Sequence, residues 1–187
     1  MVAPHAACFE SRAMFEIQAI DPAYYRQQTR RSTMVIAVIF VALAMLCATL
    51  STQVFGTPGG DNFKWNLLGV AAGLMLTVAL VRQQLWSRPF MAPAVYGWRL
   101  KRSLMRITNV MHHVKAGVAQ GDESAMKLLR FYHLGVTQMH QLDGNSSELS
   151  QMVREIDDHR EAMQQRGLDI EQTRLDPASL EWVKSFN

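Results

Sequence analysis

The apolar positions along this chain are not spread evenly. From Ser32 to Thr52 there is no charged residue and little polarity beyond hydroxyls. Twenty-one helical residues span about 30 Å, the thickness of a bilayer hydrocarbon core. A second uncharged run, Trp65 to Val81, is shorter, near the lower limit for a span. Lys64 and Arg82 bracket it and can snorkel outwards, with Trp65 and Trp86 at the two interfaces. The segment between the runs holds Gly56, Pro58, Gly59 and Gly60, a turn-rich loop that makes the two helices antiparallel neighbours.

After the second run the pattern changes. Pro89 and Pro93 interrupt the chain, and an amphipathic stretch begins. Leu100, Leu104, Ile107, Met111, Val114 and Val118 recur at alternating spacings of four and three, a heptad-like seam that reads as one helix and a candidate interaction surface. A second helix is expected over Glu123–Leu142, with Ala125, Leu129, Tyr132, Val136 and Met139 on its seam. A third starts at Asn145, where Asn145 and Glu148 resemble a capping box, and stops at Gly167. Its seam carries Leu149, Met152, Ile156, His159 and Met163. A short fourth begins at Asp176-Pro177, a cap followed by proline at the first helical position. No strand-like alternation stands out in this part.

The fold expected is an all-α membrane protein: a two-helix transmembrane hairpin followed by a cytoplasmic helical bundle or coiled-coil-like domain of three to four helices. Its divisions are a cytoplasmic N-terminal segment over 1–31, spans at 32–52 and 65–82 joined by an external loop at 53–64, a proline-containing linker at 83–94, and a helical domain at 95–187. Residues 1–13 show no pattern and are expected to be disordered, and Met14 is an alternative start.

Charge adds orientation. The net charge of +3 conceals a strongly basic stretch, 82–118, with seven Lys/Arg and no acid, followed by 119–187 with seven Lys/Arg against twelve acids. Arg26, Arg30 and Arg31 precede the first span, and Arg82, Arg88 and Arg99 are among those that follow the second, whereas the loop has only Lys64 beside Asp61. Positive-inside asymmetry puts both termini in the cytoplasm. The twin arginines Arg30-Arg31 resemble an export signal, but a second span follows, and no small-residue cleavage site stands out. Arg99, Arg102 and Arg106 share a helix face, with Trp98 suited to the interface, so anionic lipid headgroups are the expected partner and nucleic acid is not.

Small residues suggest how the spans pack. Gly69/Gly73 and Ala44/Ala48 are small-xxx-small pairs at similar depth from the loop. The simple reading closes the hairpin on itself; the other faces Gly69 and Gly73 towards a second protomer. Neither span carries an ionisable group, which weighs against a proton relay within one hairpin.

The chemistry is sparse. Cys8 and Cys47 make neither a disulfide framework nor a zinc spacing. His112 and His113 are adjacent and diverge; His133 and His140 share a face but lie two turns apart. Glu155 and His159, four apart, can pair, but His159 reads more simply as a seam histidine hydrogen-bonded to a neighbour. No phosphate loop, dinucleotide fingerprint, nucleophile elbow or zinc-protease motif occurs. The expectation is a non-enzyme with no catalytic residue, metal or cofactor. It is a membrane anchor that self-associates or docks an unknown membrane-protein partner through its cytoplasmic helices. A subunit of an oligomeric channel or transporter, and a membrane-bound metal or enzyme site, are the alternatives.

The stretch Ile20-Asp21-Pro22-Ala23-Tyr24-Tyr25-Arg26, then Arg30-Arg31 and two spans with a helical tail, resembles the bacterial membrane family called domain of unknown function 3087. The resemblance covers about Met14 to the end. It implies a bacterial inner-membrane location and carries over no functional residue.

Overall fold

The computed structural model describes residues 15–145 and 147–186, with side chains outside 147–151. The expectation for residues 1–13 and the Glu148 half of the capping box therefore lie outside the described residues, as does Leu149. The described chain is mostly helical. Its α-helices are α1 (Pro22–Phe55), α2 (Phe63–Leu80), α3 (Ala92–Thr108), α4 (Met111–Ala119), α5 (Glu123–Asp143), α6 (Ser147–Gln165) and α7 (Pro177–Trp182). A π-helical turn, Val81–Leu85, continues α2, and 3-10 turns occupy Pro89–Met91 and Val183–Ser185. They divide into two compact units, 24–96 and 15–23 with 97–186.

In the first unit, α1 begins ten residues before the uncharged run, with Pro22 as its first residue. The α1–α2 connection is shorter than the expected loop. Asn62 closes it, its side-chain oxygen accepting from Thr57 N at 3.0 Å and its amide donating to Thr57 O at 3.1 Å. Gly59 turns it at φ +73°, a conformation glycine adopts without strain. Phe55 stacks on Trp65 with centroids 5.1 Å apart. Hydroxyls within the apolar helices bond inward to the preceding turn: Thr49 donates to Met45 O at 2.8 Å and Thr77 to Gly73 O at 2.8 Å. At the other end, the Ser32 hydroxyl lies 2.9 Å from the carbonyl oxygens of both Gln28 and Phe90, tying α1 to the turn that follows α2.

In the second unit, α5 is the central helix. It buries residues on nearly every side, among them Ala125, Leu128, Leu129, Phe131, Val136 and Leu142. Around it lie Ile107 of α3, Val114 of α4, Leu175, and Leu180 and Val183 of the C-terminal segment. Its ends are strongly marked. Asp122 caps the start, accepting from Ala125 N at 2.7 Å. Gly144, at φ +74°, ends it, and Asn145 N donates to His140 O at 3.0 Å. Asp176 caps α7 in the same way, accepting from Ala178 N at 2.9 Å.

Two features depart from the sequence reading. The seam from Leu100 to Val118 is split between α3 and α4 at Asn109–Val110, where Val110 leaves helical geometry at φ −118°, ψ 16°. The Thr108 hydroxyl donates to Leu104 O at 3.0 Å, the i−4 back-bond that bends helices. The second is a short antiparallel pair, β1 (Phe15–Glu16) with β2 (Arg174–Leu175), in register Phe15↔Leu175 and Glu16↔Arg174. Ile17 N donates to Thr173 O at 2.8 Å, Glu16 pairs with Arg174 at 3.1 Å, and Phe15 meets Phe131 edge-on. The residues just before α1 thus belong to the same packed unit as the C-terminal helices.

Candidate functional site

The most unusual chemistry lies where α6 crosses α5. Arg130, His133 and His159 are all buried there, at 6%, 1% and 7% exposure. The Arg130 Nε donates to Ile170 O at 2.9 Å, pinning the segment after α6 onto α5. Burial, then Arg160, lowers its pKa, while Glu171 and Asp157 oppose the shift. His159 Nε2 lies 3.0 Å from Met126 O, so that nitrogen carries the proton and donates. Burial lowers the pKa of His159, partly offset by this bond; Arg130 lowers it further and Glu155 raises it.

The His133 ring meets the His159 ring edge-on, with centroids 5.3 Å apart and an 83° interplanar angle. Its Nδ1 is buried and has no hydrogen-bond partner among the described residues. Burial pushes the pKa of His133 down to about 4, helped by His159, Arg130 and Lys115 and opposed by Glu155. His133 is therefore neutral at pH 7. Among the described residues no three His, Cys, Asp or Glu side chains converge as metal ligands. His140 is buried elsewhere along α5, and His112 and His113 sit together on α4, where His113 Nδ1 contacts Phe186 O.

A cleft of about 250 Å³ lies beside the first turns of α5, lined by Ser124, Lys127, Phe131, Gln172 and Arg174. Its cations are engaged: Lys127 pairs with Glu123 at 2.5 Å and Arg174 with Glu16.

In the first unit, the four small residues meet. A Cβ on Gly73 would lie 2.6 Å from Ala44 Cα, and one on Gly69 2.5 Å from Ala48 N. Both would overlap backbone, so only glycine permits this approach. The contacts run in antiparallel order, and Gly69, Gly73 and Ala44 are buried.

The seam residues lie inward. Leu100, Leu104, Ile107 and Val114 are at most 4% exposed, and Met111 and Val118 pack partly against the same core. Gly135 of α5 makes room for Leu104, whose Cδ2 would be 2.8 Å from an added Cβ. Leu100, Leu104, Ile107 and Val114 are thus covered by their own chain, and Met111 and Val118 are half-covered. Arg99, Arg102, Arg106 and Trp98, by contrast, lie on the exposed side of α3. Arg102 sits over the Trp98 ring at 5.0 Å.

Sequence reasoning missed the burial of Arg130 and His133. Both fall off the seam assigned to α5, and a single-face pattern cannot report a helix packed on several sides.

A family model described as protein of unknown function DUF3087 matches residues 15–180. No curated protein and no solved structure matches the chain. The match spans most of the sequence and agrees with the resemblance carried by Ile20–Arg26 and the helices that follow; the chain belongs to the DUF3087 family of proteins of unknown function.

Proposed function

We propose that this chain is a two-span protein of the bacterial cytoplasmic membrane, in which the α1–α2 hairpin anchors a non-enzymatic helical interaction module on the cytoplasmic side. One observation carries the reading. The most apolar windows of the two long helices are only 6% and 17% buried. A core helix of a soluble protein would be mostly covered. Here Met34, Val38, Met45, Phe63, Leu67 and Met75 stand at 58–71% exposure, apolar surface along both helices. Soluble monomers rarely expose apolar patches above a few hundred Å².

The β1–β2 pair supports the topology. β1 precedes α1, and β2 follows α6. Two strands that share hydrogen bonds lie on one side of a membrane, so the chain between them crosses an even number of times. The strand pairing is independent of the arginine counts that favour cytoplasmic termini. The inward seam limits how the module engages others: self-association or docking uses its exposed faces and not the buried side chains of Leu100, Leu104, Ile107 and Val114.

The test is alkaline carbonate extraction of membranes from cells expressing the full chain. Retention in the membrane pellet is expected. Release into the supernatant, with the chain monodisperse without detergent, overturns the proposal.

A further inference from the structure

The exposed face of α3 combines arginines with large apolar side chains. Trp98, Arg102, Met105 and Asn109 follow spacings of four, three and four, a single stripe along the helix. Trp98 is 45% exposed and Met105 65%. Arg99 and Arg106 form the neighbouring column, while Lys101, on the other flank, is paired with Asp143 at 2.9 Å. Leu100, Leu104 and Ile107 lie on the opposite side, buried in the module's core. The outward face therefore joins two large apolar side chains with three arginines. Arg106 has no carboxylate partner among the described residues, and Arg102 stacks on Trp98.

We infer that this face is a lipid-docking surface for anionic headgroups: Trp98 and Met105 enter the interfacial layer, and Arg99, Arg102 and Arg106 contact the phosphates. The inference rests on the membrane-anchored reading and deepens it. Charge and chain connectivity select lipid as the occupant. A basic face with central apolar residues matches an interfacial helix. The chain from Leu85 to Ala92 is only a short connection, which at about 3.5 Å per residue reaches no more than about 25 Å. The first residue of α3 thus lies within that reach of the end of the second span. Three arginines at an anionic surface favour the docked state by roughly a hundredfold, an effect that salt weakens.

The test uses the full chain with Cys8→Ser and Cys47→Ala, a Met105→Cys substitution carrying an environment-sensitive fluorophore, and a parallel Val153→Cys label on α6. The labelled protein is placed in nanodiscs of phosphatidylcholine alone or with one third phosphatidylglycerol. The expected result is a blue shift and protection from an aqueous quencher at 105 in the anionic discs. Both effects vanish with Arg99→Gln/Arg102→Gln/Arg106→Gln or in about 0.5 M salt, and the label at 153 stays quenchable throughout. Equal quenching at 105 and 153 in both discs overturns the inference. So does a shift of the same size in neutral lipid, or one that grows with the number of copies per disc, which would assign the face to a second protein chain. Failure of the span reading is seen separately, as chain that does not float with the discs.

Discussion

Lowering the pH from 7 to 5 destabilises the α5–α6 contact through His133. In the folded protein this histidine is 1% exposed, its Nδ1 is unpartnered among the described residues, and its pKa is about 4, against an ordinary value of 6.5. The folded pKa lies below the unfolded one, so the unfolded chain binds the proton more tightly. Stability from this group is complete above pH 6.5 and falls as the pH drops towards 4. At pH 5 the unfolded histidine is almost wholly protonated and the folded one hardly at all, a difference of about 2 kcal/mol. For a module of about a hundred residues this is a fall in Tm of roughly 10 °C. The assay is thermal unfolding of the full chain in detergent, followed by circular dichroism at pH 7 and pH 5, for wild type and His133→Leu. Other groups titrate in both proteins, so the informative quantity is how the difference between them changes with pH. His133→Leu should gain about 2 kcal/mol relative to wild type on acidification. A difference that stays constant within about 0.5 kcal/mol over this range would refute the reasoning, because the burial of a neutral His133 would then have no thermodynamic consequence.

Other outcomes follow from the same packing. Gly73→Ile puts side-chain atoms into the Ala44 backbone and should lower the detergent-state stability by about 1–3 kcal/mol, whereas Leu76→Ile, on an exposed face of α2, should leave the melting temperature unchanged. Gly117→Val meets Ala125 and Phe186, with an added Cβ 2.8 Å from the Ala125 Cβ, so it should release the C-terminal segment and speed chymotryptic cleavage at Trp182 or Phe186. Asp122→Ala removes the α5 cap and the acceptor 3.3 Å from Trp182 Nε1, and should cost about 1 kcal/mol in urea unfolding of the full chain.

Most of the helices were legible because their ends carry local chemistry. Asp122, Gly144 and Asp176-Pro177 are stop and start signals that act within a few residues, and the structure uses each of them. Asp21-Pro22 has the same order as Asp176-Pro177, and α1 begins there, ten residues before the apolar run that starts at Ser32. The break at Asn109–Val110 was not legible. Seam spacing persists across it, no glycine or proline marks it, and its cause includes the bond from Thr108 to Leu104. The β1–β2 pair is shorter than any alternation can reveal, and its partners are far apart in sequence. The buried Arg130–His133–His159 contact depends on α5 being covered from several directions, which is a tertiary property. The outward side of α3, by contrast, could be read directly, because an amphipathic helix exposes what its seam does not bury.

The even number of crossings is the claim on which the rest depends, and cysteine labelling tests it most directly. In a background lacking Cys8 and Cys47, Thr57→Cys places a thiol in the α1–α2 loop, and Glu181→Cys places one on the exposed side of α7. A membrane-impermeant maleimide applied to intact spheroplasts should label the residue at 57 and reach the one at 181 only after lysis. Labelling of 181 from outside, or of 57 only after lysis, would contradict the hairpin and its orientation.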